Sequence, residues 1–145
     1  MRFVVGDSVT DNSNNGPVPS HLKDIIRPNP KDNAVDHEFN FVHGGDNFWS
    51  INGAAFNNRN SRVLANFPQG ATEVWQFNYR SGPGIHPIHI HLVNFQVLER
   101  ISWQRGVLPQ EVAGLKDTIL MNPGESVKVA PMFGPWNGVY VFHCK

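Results

Sequence analysis

Between residues 39 and 143 the apolar positions fall in short runs, broken at intervals by glycine, proline and asparagine. Residues 39–42 and 48–51 flank Gly44-Gly45-Asp46, which predicts a hairpin. Over residues 73–79, Trp75, Phe77 and Tyr79 recur at every second position. That period puts three rings on one face of a strand, as core rather than as a substrate platform. Residues 88–98 read as one long strand. Residues 117–121 and 126–129 are joined by Asn122-Pro123-Gly124-Glu125. Proline presets the first central position of that turn and glycine permits positive φ at the second, so a type II turn is expected. Residues 139–143 close the set. No amphipathic helical period of useful length is present, and no repeat at solenoid spacing. Many short strands with regular turns predict an all-β, antiparallel β-sandwich.

The N-terminal quarter reads differently. Residues 1–5 read as a short strand ending an upstream domain. Residues 6–36 are polar, rich in asparagine (Asn12, Asn14, Asn15) and interrupted by Pro17, Pro19, Pro28 and Pro30. Such a segment cannot bury enough apolar surface for a core and reads as an irregular linker. The expected division is therefore 1–37, the end of a preceding domain plus linker, and 38–145, one folded domain.

Composition narrows the function. Of the 145 residues, 40% are hydrophobic and 11% aromatic, enough for one core. Twelve basic and twelve acidic residues give a formal net charge of zero. With no basic run, nucleic acid is excluded as a partner. No stretch approaches the ~20 apolar residues of a membrane span, so no membrane partner is expected. Residues 1–7 lack the apolar core of a secretory signal. Either the protein is intracellular or Met1 is not the natural start, and localisation stays open. The single cysteine, Cys144, rules out an internal disulfide.

Two segments carry chemistry. In His86-Pro87-Ile88-His89-Ile90-His91, three of the seven histidines fall within six residues. His89 and His91 are two apart on a strand and project from one face. Pro87 holds His86 extended and apart from that pair, where it could serve a different ion. Histidine is the commonest ligand for borderline metals, and clustered imidazoles are costly unless they share a metal or a polar network. The second segment is Gly138-Val139-Tyr140-Val141-Phe142-His143-Cys144-Lys145. His143 and Cys144 are strand neighbours, so their side chains point to opposite faces. A thiolate with imidazoles and a weak axial ligand is the blue-copper donor set. His21, His37 and His43 are expected to be solvated and Asp117 to lie at the surface. Lys116 and Arg100 form no visible anion site.

These motifs resemble a known family. The HPIHIH segment with its Leu92-Val93-Asn94-Phe95-Gln96-Val97-Leu98 flank resembles the first copper motif in the third domain of multicopper oxidases. Gly114-Leu115-Lys116-Asp117-Thr118-Ile119 and the turn at Asn122 are similar to the stretch between the motifs. Gly138 to Cys144 resembles the opening of the second motif. Phe48-Trp49-Ser50-Ile51-Asn52-Gly53 is similar to the W-x-I-N-G opening of that domain. The linker Gly16-Pro17-Val18-Pro19-Ser20-His21-Leu22 resembles the interdomain stretch of the bilirubin oxidase branch. The resemblance implies a cupredoxin-like Greek-key β-sandwich. It implies that His86 and Cys144 bind a type 1 copper, His89 a type 2 copper, and His91 and His143 a type 3 pair. It further implies one-electron oxidation of a small phenolic or pyrrolic reductant, with O2 reduced to water. No catalytic residue other than these metal ligands is expected.

The departures shape the expectation. The family places a second histidine after His-Cys, where this chain has Lys145 and stops. A second type 1 histidine, an axial ligand and the other cupredoxin domains of the polypeptide would lie elsewhere. The expectation is a fragment, from a partial gene or an unspliced message, with weak and incomplete copper binding and no oxidase turnover alone. Three other readings stand beside it. One is a non-catalytic electron-transfer cupredoxin, which needs a complete blue-copper site. Another is a cupin-like jelly roll, but Glu99 lies too far beyond His91 for the acidic ligand of that pattern. The third is a structural remnant that does not use its histidines.

Overall fold

The computed structural model describes residues 4, 6–8, 10–13, 16–45 and 48–144. The strand read at 1–5 lies outside them except for Val4, as do Asn14, Asn15, Asp46 and Lys145. Among the described residues before His37 there is no helix or strand. This segment is nonetheless tied down. Pro28 is buried, and the Arg27 guanidinium donates to the carbonyls of Val112 and Ala113, at 3.0 Å each.

Eight strands and one helical turn follow. They are β1 (His37–His43), β2 (Trp49–Ile51), β3 (Trp75–Ser81), β4 (His86–Ile90), β5 (Asn94–Ile101), α1 (Pro109–Val112), β6 (Thr118–Met121), β7 (Ser126–Met132) and β8 (Phe142–Cys144). They form a large sheet, β2-β1-β3-β7-β5, and a small sheet, β6-β4-β8. Alternation decides what each sheet buries. Phe39, Phe41, Trp75, Phe77, Tyr79, Phe95, Val97, Val127 and Val129 point inward from the large sheet. Ile88, Ile90, Ile119 and Met121 meet them from the small one. Trp75, Phe77 and Tyr79 are core, as their period of two requires.

Two expectations change, and one side chain gains a role. The long strand over 88–98 is two strands in different sheets, because Leu92 adopts φ 60° and turns the chain from one sheet to the other. The sandwich is not wholly antiparallel. After the β1–β2 hairpin, residues 52–74 carry the chain back, and β3 re-enters beside β1 in the same direction, with Phe39 opposite Phe77. Arg100 does not lie idle. Its side chain is fully buried and donates to Glu111, to Glu125 and to the Leu120 carbonyl. Arg105 donates to Glu125 at 2.8 Å, and the Asn122 backbone N–H adds a further 2.9 Å contact to that carboxylate. This network ties β5, α1 and the β6–β7 turn together. The turn itself is the expected one: Gly124 has φ 81° and the Glu125 N–H reaches the Asn122 carbonyl at 3.1 Å.

Candidate metal centre

The site grows out of strand parity. Along β4, His86, Ile88 and Ile90 are buried, while Pro87 and His89 face the other way. Along β8, Phe142 packs against the core and Cys144 shares its face; His143 takes the opposite one. The antiparallel register pairs Ile88 with Cys144, His89 with His143, and Ile90 with Phe142. The His91 N–H extends that ladder to the Val141 carbonyl at 3.0 Å. The five histidine and cysteine side chains therefore sort into two groups on opposite faces of one small sheet.

On the inner face His86 Nδ1 lies 2.9 Å from Cys144 Sγ. His86 is 8% exposed, and burial lowers its pKa below the ordinary imidazole value. Cys144 is exposed, yet its surroundings desolvate the thiol enough to raise its pKa. Both shifts favour the neutral forms, so without a cation the pair is an uncharged thiol–imidazole contact. A soft metal ion reverses that preference by taking the thiolate and the ring lone pair together. The two atoms border an open groove of about 1040 Å³ whose walls include Trp49, Phe56, Trp136 and Tyr140.

On the outer face the hydrogen bonds fix the tautomers. His89 Nδ1 lies 2.8 Å from the Asp117 carbonyl and 3.2 Å from Thr118 Oγ1. A carbonyl only accepts, so Nδ1 carries the proton and Nε2 is left as a lone-pair donor. His143 Nδ1 is likewise 3.1 Å from the Cys144 carbonyl, which leaves its Nε2 basic. That Nε2 lies 3.0 Å from His91 Nε2, which then supplies the proton of the contact. The three rings stand 4.9 to 5.7 Å apart between centroids. Outer partners that hold a histidine with Nε2 free are the usual support of a metal ligand.

The donor chemistry fits copper in two partial sets: thiolate with imidazole inside, imidazoles alone outside. Among the described residues no group of three or more His, Cys, Asp or Glu side chains closes on a single ion position. Asp117 is exposed, as expected, and it serves His89 through its main chain.

Other side chains behave unlike their sequence reading. His43 is not simply solvated, because its ring packs, tilted, against Trp49 at 4.7 Å. His37 opens β1, packs near Phe39 and Trp75, and lies 3.3 Å from Glu73. Sequence reasoning also missed the two rings against His86: Trp49 at 4.2 Å and Tyr79 at 4.5 Å. They come from β2 and from β3, the strand just before β4, and no spacing rule links them to the HPIHIH segment.

Comparison with known proteins identifies the family. Residues 28–145 match the family model described as multicopper oxidase. The chain is 42% identical over 146 residues to a bilirubin oxidase of Albifimbria verrucaria, a match covering 99% of this chain and 25% of that protein. It is 39% identical over 90 residues to a laccase of Bacillus subtilis, covering 52% of this chain and 17% of the laccase. Among solved structures, a multicopper oxidase of the hyperthermophile Aquifex aeolicus superposes with a TM-score of 0.66 at 26% identity. That alignment covers 83% of this chain and 28% of the other. The chain thus spans about a quarter of the bilirubin oxidase and less of the laccase. Family membership implies copper as the cofactor and a cupredoxin-like fold. By its sequence match, its two-sheet fold and its paired donor sets, this chain belongs to the multicopper oxidase family.

Proposed function

We propose that residues 38–145 form the C-terminal, plastocyanin-like copper domain of an oxidase, and that residues 1–37 end a preceding domain and link it to this one. His86 and Cys144 are two ligands of a type 1 copper. His89 serves a type 2 copper, and His91 and His143 serve a type 3 pair. Copper at such donors supplies one-electron oxidation of a small phenolic or pyrrolic reductant and reduction of O2 to water. The chain's own contribution is to hold the donors. The Asp117 carbonyl and Thr118 orient His89, the Cys144 carbonyl orients His143, and burial keeps water from His86.

One observation carries this reading: adjacent residues on β8 serve opposite faces, Cys144 beside His86 and His143 beside His91. Only a few covalent bonds separate the two donor sets, so an electron accepted on one face has a short through-bond route to the other. The type 1 set's remaining histidine and axial ligand belong to this same cupredoxin domain, and the outer site's other half to the other cupredoxin domains of the same polypeptide. Oxygen uptake tests the proposal. Copper-loaded chain with a phenolic or pyrrolic donor is expected to consume no oxygen by itself, and to do so once joined to those domains. A joined, copper-replete protein that oxidises the donor equally well with His143 or Cys144 replaced by alanine would refute it.

A further inference from the structure

His86 is held by more than its strand. Its imidazole packs against two aromatic rings that also touch each other: Trp49 from β2 at 4.2 Å and Tyr79 from β3 at 4.5 Å, with 6.0 Å between those two. The Tyr79 hydroxyl donates to the Pro83 carbonyl at 3.1 Å, so the same residue also pins the loop that leads into β4. Trp49 in turn has a made-to-measure seat. Gly82 adopts φ 131°, and a Cβ there would lie 2.5 Å from Trp49 Cη2 and 3.0 Å from the His43 Cβ. A side chain at position 82 would be strained by that φ and would force the indole to shift.

We propose that Trp49, Tyr79 and Gly82 are positioning residues that lock the His86 ring with Nδ1 facing Cys144 Sγ before a metal arrives. The inference rests on the copper reading of His86 and Cys144 and deepens it. The physical argument is preorganisation. An imidazole on a strand has two side-chain torsions, and only part of that freedom aims Nδ1 at the sulfur. Rings against it remove the other orientations, so binding a metal need not fix them. Although 38% exposed, Trp49 is itself held by the His43 ring at 4.7 Å and the buried Tyr79 ring at 6.0 Å.

The test uses the 145-residue chain with 13C-labelled histidine, first without metal and then titrated with cobalt(II) chloride. Without metal, the His86 ring protons are expected to be displaced by the flanking ring currents. Trp49→Leu should return them toward ordinary imidazole positions and leave the His89 signals in place. Gly82→Ala should copy Trp49→Leu by evicting the indole. With cobalt, Trp49→Leu should weaken binding about 10- to 100-fold, the usual cost of losing a group that orients a ligand. Trp49→Phe should recover most of that loss. Unmoved His86 resonances in both Trp49→Leu and Gly82→Ala would overturn the proposal, as would unchanged cobalt affinity. A wild-type chain that shows no thiolate-to-cobalt absorption would instead count against the copper reading. The metal-free resonances would then still decide whether the ring is locked.

Discussion

The two sheets solve different problems. The large sheet is saturated, with five strands and a run of inward aromatic rings, and beside it a buried ion network of Arg100, Glu111, Glu125 and Arg105 joins β5 to α1 and the β6–β7 turn. The small sheet has three strands, one of them the three-residue β8. It carries four of the five candidate ligands, with His91 just past the end of β4, and closes none of their sets among the described residues. One region is finished by its own side chains and the other is not. Stability and chemistry are thereby separated, so damage to the two regions should be read by different instruments.

The largest expected effect lies in the ion network, which Arg100 on β5 anchors to the large sheet. Arg100→Leu leaves Glu111 buried and Glu125 short of one partner. Removing one member of a buried pair typically costs about 3–5 kcal/mol. Denaturant titration should show that loss, and a change below ~1 kcal/mol would mean the network is incidental. Next comes acid. Burial alone would raise the Glu125 pKa. The Arg105 hydrogen bond, the Asn122 N–H and the charges of Arg100 and Arg105 outweigh it and bring it down to about 2 from 4.5. A carboxylate with a depressed folded pKa contributes stability above its unfolded value and loses it as protons bind. The contribution is about 3 kcal/mol. It should be intact above about pH 4.5 and vanish as pH falls toward 2. Glu125→Gln should flatten the stability curve across that window, and an unaltered acid limb would contradict the assignment. The smallest stability effect belongs to the small sheet. Cys144→Ser and His143→Ala alter exposed or half-buried side chains on β8 and should stay within roughly 0.5 kcal/mol of the parent. A cost of several kcal/mol there would erase the contrast between the sheets.

The sequence showed much of this, unevenly. The period of two at Trp75, Phe77 and Tyr79 and the Asn122-Pro123-Gly124-Glu125 turn were readable because each rests on local geometry. The opposite facing of His143 and Cys144 was readable for the same reason. The break at Leu92 also left a trace that the single-strand reading passed over. Ile88 and Ile90 fall on even positions, whereas Val93, Phe95 and Val97 fall on odd ones, and such a slip in parity is what a change of sheet produces. The parallel pairing of β1 with β3 left none, since strand direction depends on the path of residues 52–74 and not on the composition of either strand. The Arg100 network and the rings on His86 were also illegible. Each joins residues 7 to 37 positions apart on different elements, which local periodicity cannot bring together.

The central claim is that β8 divides two donor sets between its faces. Optical titration with copper(II) or cobalt(II), comparing the parent chain with Cys144→Ser, His86→Ala and His143→Ala, tests it most directly. The account predicts weak binding with a thiolate-to-metal band that is lost in Cys144→Ser and strongly reduced in His86→Ala. The band should survive in His143→Ala, because that imidazole faces the other way. A band that disappears with His143 and persists without His86 would contradict the arrangement, and so would metal binding indifferent to all three substitutions.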